Sequence, residues 1–599
     1  MTHHAKFLSL LLAAFALVAL TSPASAKPNR DDSEESKPKA EAKDSKEQKE
    51  ESTDSDKKEE PKKEDEKKAD DAPVVTHGTV TIDGKEVAYT ATAGKMMIKT
   101  DDGTPKASVF YIAYTKDEPQ AEKADKAAKK HKKNKKEKVD VEGEGEESEG
   151  EEAENDDKSS DEKSAGDAPA TPNKRPLTFA FNGGPGSSSV WLHLGMLGPQ
   201  RVKLDSDAGT LPPPHELIPN EYSLLDVTDI VFIDPVSTGF SRPAKGEDKR
   251  QFHGYDEDVR SIGQFIHDYT TKNNRWGSPK FLLGESYGGI RAAGLSGELQ
   301  DRYHMYLNGV VLVSGVVDFQ TLMAYGNNDI AYALFLPGYA ATAWYHKALS
   351  DDLQKQSVEE VVAAAEKFAA GPYLRALTAG DSLGDERREE IVARMAELTG
   401  LSEEYIEASN LRVPMARFGK ELLRKDSKII GRFDSRYSGL ALDEVDSTTD
   451  YDPSASAVFG AFTSAMNDYI RGTLKVEEDR VYEILTGNVH PWDYSEFTNR
   501  FVDASSTLRD AMIQNPYLKV FAACGYYDLA TPAFAMKYTR DHLNLVPEVR
   551  KNFTTDFYHG GHMMYAHEPS LAKLRKDLVK FYESALSPVD KKMEEADQR

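Results

Sequence analysis

A five-residue run, Gly284-Glu285-Ser286-Tyr287-Gly288, has the spacing of a serine nucleophile motif. Glycine on either side permits a sharp turn between a strand and a helix, which raises the serine hydroxyl above the edge of a sheet. An apolar run at 281–283 precedes the motif and a helical pattern at 290–299 follows it. This context favours a nucleophilic role for Ser286 over an ordinary turn.

A serine nucleophile needs a histidine to accept its proton and a carboxylate to hold that histidine's tautomer. After a motif of this kind the acid precedes the histidine along the chain. Asp528 follows an apolar run, and His562 lies later in a glycine-rich loop. His559 and His567 are competing candidates, for which structural roles are favoured. Metal ligation by His559 and His562 is a weaker alternative because no acids or thiols cluster with them, so no metal is expected.

A dense glycine cluster, Asn182-Gly183-Gly184-Pro185-Gly186-Ser187-Ser188-Ser189, follows another apolar run. Glycines let backbone N–H groups approach a developing oxyanion, and the N–H of Tyr287 would be the partner donor. The cluster lacks the Lys-Ser or Lys-Thr that closes a phosphate loop. It therefore predicts part of an oxyanion hole, and no organic cofactor is expected.

Short apolar runs of the parallel-strand type recur after Pro176, and amphipathic helical stretches such as 256–269 separate several of them. The runs lie at 177–181, 229–233, 280–283, 310–313 and 519–523. They predict an α/β protein of the α/β-hydrolase fold, a mostly parallel sheet with helices on both faces. The block 326–515 is mostly helical in pattern and predicts an inserted cap.

Upstream of this sheet, 74–116 alternates in β-rich runs broken by Asp83-Gly84 and Asp101-Asp102-Gly103. The pattern predicts an antiparallel meander that needs a larger sheet to pack against. A lysine-rich insertion follows the meander. It is expected to loop out between two adjacent strands of one sheet.

The 599-residue chain carries a formal net charge of −25 and one cysteine, Cys524. The negative balance argues against a nucleic-acid partner, and one cysteine excludes an internal disulfide and a zinc site of several thiolates. The positively charged start, the apolar run at 7–20 and Ala24-Ser25-Ala26 predict a signal peptide cleaved after Ala26, rather than an uncleaved anchor. No run has the length of a transmembrane helix. Export leaves a periplasmic and a secreted location open.

Two charged, apolar-poor segments are predicted to be disordered. The second holds a lysine-rich block at 123–138 and an acidic block at 140–167. A solvated linker is favoured over weak tethering to an envelope polymer. The predicted organisation is signal peptide 1–26, disordered segment 27–72, meander 73–118, disordered insertion 119–172, hydrolase core 173–325, helical cap 326–515, hydrolase core 516–587 and polar tail 588–599.

These motifs together resemble the serine carboxypeptidase family, peptidase family S10, and in particular its bacterial-type members. The strongest pieces are 182–189, 284–289, 525–532 and 560–563, and 234–241 is also similar to a family segment. The resemblance runs from about His77 to Leu586, excluding the insertion and weakening over the cap. It implies removal of the C-terminal residue of a peptide whose free carboxylate is recognised by hydrogen bonds.

The resemblance also implies roles beyond the triad. Asn182, the Gly183 N–H and Glu285 fall on the family's carboxylate-binding positions, and the N–H groups of Gly184 and Tyr287 fall on its oxyanion hole. Glu285 can face a carboxylate only if the two share a proton. Peptide hydrolysis favoured at mildly acidic pH is therefore expected.

Two departures limit this transfer. Ser187 stands where the family often has a disulfide-bonded cysteine, and Met196 stands where some eukaryotic members have a second glutamate. The loss of that glutamate would simplify the carboxyl network and re-tune carboxylate binding. The cap matches too loosely to assign any specificity residue.

The resulting hypothesis is an exported serine carboxypeptidase that acts on peptides with a free C-terminus through an acyl-enzyme. An esterase or a proline-type aminopeptidase of the same fold is one alternative. Asn182 and Glu285 favour C-terminal recognition, because an aminopeptidase needs carboxylates around an ammonium group. A non-catalytic envelope-binding protein is the other alternative, against which the intact triad argues.

Overall fold

The computed structural model describes residues 72–117 and 174–587. The predicted signal peptide, the charged segment up to Asp71, the insertion 119–172 and the tail 588–599 lie outside these residues.

The first three strands form the predicted antiparallel meander. β1 (Val74–Ile82) and β2 (Lys85–Lys99) are joined by Asp83-Gly84, and both turn residues have positive φ, as a type I′ hairpin requires. β3 (Pro105–Lys116) pairs with β2 and, through 111–114, with a strand of the main sheet. The meander is therefore one end of a larger sheet, as its small size predicts.

The strands that follow the meander are mostly short. They are β4 (Leu177–Phe181), β5 (Gln200–Val202), β6 (Leu217–Pro219), β7 (Asp229–Ile233), β8 (Arg242–Pro243), β9 (Lys280–Glu285), β10 (Gly309–Val313), β11 (Lys428–Ile430), β12 (Ser438–Leu440), β13 (Lys519–Gly525) and β14 (Phe553–Tyr558).

Ten of the strands in the described residues, including the three of the meander, form one sheet. Their order is β1-β2-β3-β7-β4-β9-β10-β13-β14, with β8 beside β3. Every pairing from β7 to β14 is parallel. All five predicted parallel strands are confirmed. The pairs β5–β6 and β11–β12 form two small separate sheets.

The insertion is flanked by β3 and β4, which are not neighbours in the sheet. β7 lies between them, antiparallel to β3 and parallel to β4. The expectation that the insertion connects adjacent strands is therefore wrong. The physical reason is the parallel connection from β4 through 182–228, which returns the chain as β7 beside β4 and leaves the meander to pair with β7.

Helices cover the sheet and make up most of the region between β10 and β13 in sequence. They are α1 (Val190–Leu192), α2 (Tyr255–Lys272), α3 (Gly288–Tyr303), α4 (Asp329–Tyr345), α5 (Asp351–Gln354), α6 (Val358–Phe368), α7 (Leu374–Ala379), α8 (Asp385–Thr399), α9 (Glu403–Ala408), α10 (Met415–Glu421), α11 (Pro453–Asp468), α12 (Ser505–Gln514), α13 (Ala533–Asp541), α14 (Pro547–Arg550) and α15 (Glu568–Leu586). Among the helices of the described residues, none is both long and apolar enough to cross a membrane.

Two hydrophobic layers enclose the sheet, because successive side chains of each buried strand point to opposite faces. Phe179 and Leu282 pack on one face with residues of α2, α3 and α12. Phe281 and Leu283 pack on the other face with residues of α11 and α15. Helices on both faces, as predicted, are confirmed.

A third hydrophobic cluster is formed mainly by residues between β10 and β13 in sequence. Its members come from α4, α6, α8 and the segments that follow them up to Ile430. The later helices α11 and α12 pack on the two layers of the sheet instead. Leu529, the residue after Asp528, belongs to the third cluster. The core of this helical region therefore reaches the loop that follows β13.

Candidate active site

Ser286 occupies the turn between β9 and α3, where the motif predicts it. Its φ of 62° is left-handed, a strained conformation for a residue with a side chain. The turn is held by the Ser286 N–H, which donates to Val313 O at 3.1 Å, and by Gly289 N, which donates to Ser286 O at 2.8 Å. A Cβ on Gly284 would lie 2.1 Å from Gly288 O, so only glycine fits there. Ser286 is partly exposed between buried neighbours.

Asp528 and His562 lie on the loops that follow β13 and β14, two adjacent parallel strands. His562 Nδ1 is 2.9 Å from Asp528 Oδ2, and both side chains are buried. The backbone N–H groups of Ala530 and Thr531 donate to Asp528 Oδ1 at 2.8 and 2.9 Å. The loop therefore fixes one carboxylate oxygen and leaves the other facing the imidazole.

Ser286, Asp528 and His562 all follow the carboxyl ends of strands at one edge of the sheet. The hydrogen bonds of His562 in the described residues reach Asp528, Thr531 and Phe433, and none joins it to the Ser286 hydroxyl. Bonds between a nucleophile and its base are often long before substrate binds.

Charged groups around His562 change its acidity. Burial lowers the pKa of the imidazole, but Asp528, through its charge and hydrogen bond, and Glu285 outweigh burial and raise that pKa above its ordinary value. Arg432, from the helical region between β10 and β13 in sequence, acts in the opposite direction. Asp528 thus stabilises the imidazolium that a proton-accepting histidine would become.

Glu285, the last residue of β9, is buried beside the serine. Burial raises the pKa of this carboxyl to about 7, against the opposing influence of His562 and of a hydrogen bond from Tyr565. Tyr565 OH donates to Glu285 Oε2 at 2.7 Å. Glu285 is therefore largely protonated below neutral pH.

The glycine-rich turn after β4 lies directly against the serine turn. A Cβ on Gly183 would lie 2.4 Å from Tyr287 N, so this close approach requires glycine. Gly184 follows with a φ of 108°. Asn182 Oδ1 accepts the Leu192 N–H at 3.2 Å, while Asn182 Nδ2 is buried without a hydrogen-bond partner in the described residues. The Asn182 side chain faces Glu285 and lowers the pKa of that carboxyl.

Two residues near the predicted triad were not predicted from the sequence. Thr531 Oγ1 lies 2.8 Å from Asp528 Oδ2 and 3.0 Å from His562 Nδ1. Tyr565, which contacts Glu285, lies on the loop that carries His562. Their nearness in sequence to Asp528 and His562 was the available signal, but neither residue type indicates a role by itself.

The two departures from the family pattern lie in packed surroundings. Ser187 Oγ accepts from Trp191 Nε1 at 2.9 Å, and Ser188 N donates to Ile484 O at 2.9 Å. Backbone pairing with 484–486 thus holds the glycine-rich turn at this position. Met196 is buried in the apolar layer that includes residues of α15.

The competing histidines have other partners. His559 Nε2 lies 2.9 Å from Glu359 Oε1 on α6, and both side chains are about half exposed. His567 Nδ1 lies 2.7 Å from Ser570 Oγ at the start of α15. Of the three histidines, His562 is the one that contacts Asp528 in the described residues.

A family model described as serine carboxypeptidase matches residues 165–573. The chain belongs to the serine carboxypeptidase family. This confirms the resemblance drawn from the motifs and agrees with the α/β-hydrolase fold of the sheet.

Serine carboxypeptidase-like 5 and serine carboxypeptidase-like 2 of Arabidopsis thaliana are 34% and 29% identical to this family member, over 20% and 28% of its chain. It spans 26% and 38% of the length of these curated relatives. Among solved structures, Kex1Δp, a prohormone-processing carboxypeptidase from Saccharomyces cerevisiae, is 15% identical with a TM-score of 0.47, covering 82% of this chain and 91% of its own.

Proposed function

We propose that this family member is an exported serine-type carboxypeptidase that hydrolyses the C-terminal peptide bond of peptides. Ser286 attacks the scissile carbonyl, and His562 accepts the serine proton and then donates it to the leaving amine. Asp528 holds the His562 tautomer. Water, activated by His562, then hydrolyses the acyl-enzyme and releases the shortened peptide.

The backbone N–H groups of Gly184 and Tyr287 are proposed to stabilise the oxyanion of each tetrahedral intermediate. The contact between the glycine-rich turn and the serine turn supports this role, since Gly183 approaches Tyr287 N more closely than any side chain would allow. No metal or organic cofactor takes part in the proposed reaction.

One observation carries the choice of carboxypeptidase: a buried glutamate with a pKa of about 7, Glu285, adjoins the nucleophile. A protonated Glu285 can donate a hydrogen bond to the substrate carboxylate, and the unpartnered Asn182 Nδ2 and the Gly183 N–H would be further donors. An ammonium-binding site would need ionised carboxylates instead.

Glu285 and His562 set the expected pH dependence of the reaction. Below a pH of about 7 Glu285 is neutral and accommodates the substrate carboxylate; as pH rises through about 7 it ionises and repels that carboxylate, so KM rises. His562 acts as a base only when neutral, and its raised pKa moves the loss of the base form on acidification to a higher pH than for an ordinary histidine.

The test compares the purified protein with its Ser286→Ala variant on an N-blocked dipeptide and on the matching C-terminal amide, from about pH 4 to 8. Serine-dependent release of a free amino acid from the acid is expected, with a lower KM below about pH 7 than above it and with poor release from the amide. Equal cleavage of both substrates would contradict C-terminal recognition and favour an esterase or another peptidase. No serine-dependent turnover would favour a binding protein.

Export is proposed separately, from the signal peptide predicted at 1–26. N-terminal sequencing of protein recovered from the periplasm or the medium should begin at Lys27. A chain that retains Met1 in those fractions would contradict cleavage after Ala26.

A further inference from the structure

A short segment of the helical region, which we name the strap (residues 432–436), lies against the loop that carries Asp528. Leu529 N donates to Arg432 O at 3.1 Å, and Ser435 N donates to Tyr527 O at 2.9 Å. Both residues that flank Asp528 in sequence are therefore hydrogen-bonded to the strap.

The strap also contacts the loop that carries His562. His562 N donates to Phe433 O at 2.5 Å, and Gly561 N donates to Asp434 Oδ2 at 3.1 Å. The Phe433 ring centre lies 5.3 Å from that of the imidazole. A Cβ on Gly561 would lie 2.3 Å from Phe433 O, so this approach of the loop to the strap requires glycine.

A buried ion pair inside the strap reaches both loops. Arg436 Nη2 and Nε lie 2.6 and 3.0 Å from Asp434 Oδ2 and Oδ1. The Arg436 guanidinium is also 5.7 Å from the Tyr527 ring centre, on the Asp528 loop. Asp434 therefore bonds the His562 loop at Gly561 while its partner stacks on the Asp528 loop.

The strap is itself held by helices outside the triad loops. Ser435 Oγ lies 2.6 Å from Thr342 Oγ1 on α4, and Ser435 O lies 2.7 Å from Nε2 of His346, the residue that follows α4. Phe433 N donates to Ser454 Oγ at 3.1 Å, at the start of α11. The position of the strap is thus set by α4 and α11 rather than by the sheet.

We infer that Asp434 is a positioning residue, which fixes the position of the His562 loop relative to the Asp528 loop. The two loops leave different strands, and the strap is hydrogen-bonded to both of them. A misplacement of about 1 Å in catalytic geometry can cost roughly 100-fold in rate. Loss of the hydrogen bond to the Gly561 N–H should therefore displace the adjacent His562 and lower the rate. The inference rests on the proposed role of His562 as the base.

The test uses the full chain with Asp434→Asn. Asp329→Asn is the matched control, because Asp329 pairs with Arg412 at 2.7 Å within the same helical region and is not part of the strap. The rate of Ser286 labelling by a fluorophosphonate reports the serine and its base without depending on the substrate class. Peptide kcat and KM and the thermal unfolding midpoint are measured in parallel.

Asp434→Asn is expected to lower the labelling rate and kcat together, by roughly 10- to 100-fold, with KM nearly unchanged. The control should change the unfolding midpoint alone. If Asp434→Asn does not fold, Arg436→Gln, which keeps the carboxylate but removes its partner, should lower the labelling rate in the same direction by a smaller factor.

Labelling of a folded Asp434→Asn variant at the wild-type rate would overturn the inference, as would equal losses in the variant and its control. Wild-type protein that is labelled but releases no C-terminal residue would contradict the proposed function, and the labelling rates would still decide the role of Asp434. Wild-type protein that is not labelled would overturn both.

Discussion

The two edges of the central sheet differ in whether they leave buried polar groups without hydrogen-bond partners. At the amino edge, Asp229 begins β7 and is 1% exposed, and both its carboxylate oxygens are paired. Arg175 Nε and the Lys116 N–H donate to Oδ1 at 2.7 and 3.1 Å, and Arg275 Nη1 donates to Oδ2 at 2.8 Å. A buried charge is satisfied here by three donors.

At the carboxyl edge, Asp528 is likewise hydrogen-bonded at both oxygens, but other polar groups are buried without that satisfaction. Asn182 Nδ2 and Ser314 Oγ have no hydrogen-bond partner in the described residues, Ser286 is held in a left-handed conformation, and burial raises the pKa of Glu285 to about 7. Each unpaired buried group costs about 1–3 kcal/mol. The amino edge therefore stabilises the fold, while the carboxyl edge also holds unpaired polar groups and a titratable carboxyl.

The largest effect on activity at the carboxyl edge is expected from Asp528→Asn. Turnover should fall by about 10⁴-fold with the fold retained, because an amide would favour the wrong tautomer of His562. The measurements are kcat and the circular dichroism spectrum. Asp556→Asn on β14, which removes a half-exposed partner of Lys573, is the control and should keep its activity. A folded Asp528→Asn variant within tenfold of the wild-type kcat would remove Asp528 from the triad.

The matching change at the amino edge is Asp229→Asn. It removes the carboxylate that faces the buried Arg275 guanidinium, so the free energy of unfolding should fall by about 3–5 kcal/mol. Urea unfolding measures this loss, and kcat should stay near the wild-type value wherever the variant is folded. A large fall in kcat with little loss of stability would break the contrast between the two edges.

A smaller effect is expected from Glu285→Gln, which keeps a hydrogen-bond donor but cannot ionise. Wild-type KM for a blocked dipeptide should rise roughly fivefold between about pH 7 and pH 8, as Glu285 loses its proton. The variant should lack this rise, and KM for the C-terminal amide should change little in either protein. An unaltered KM profile in Glu285→Gln would show that another group governs carboxylate binding.

The smallest effect is expected from replacing 119–172 with a flexible linker of about six glycine and serine residues. Lys116 and Arg175, which flank the insertion, both donate hydrogen bonds to Asp229 at the edge opposite Ser286. The two points where the insertion joins the sheet are therefore held in place without the insertion itself. The value of kcat/KM should stay within about twofold and the free energy of unfolding within about 1 kcal/mol. A folded variant with lost activity would instead give the insertion a part in catalysis.

Much of the sheet could be predicted because strands buried on both faces leave continuous apolar runs in the sequence. The bounds of β4 and β7, Leu177–Phe181 and Asp229–Ile233, coincide with two such runs. β14 was missed because it is half-buried and carries Thr554, Thr555 and Asp556 in its centre. The place of β7 between β3 and β4 was missed because strand order depends on long-range pairing, which leaves no local pattern.

The sequence alone determined the positions of Ser286, Asp528 and His562 as the predicted triad, because a nucleophile turn and the loops at strand ends are local structures with their own residue requirements. Only the tertiary structure decided that Tyr565 meets Glu285 and that the strap meets both triad loops. Most of the strap's contacts run through backbone groups, which every residue carries. Such contacts depend on how distant segments pack, so no residue pattern predicts them.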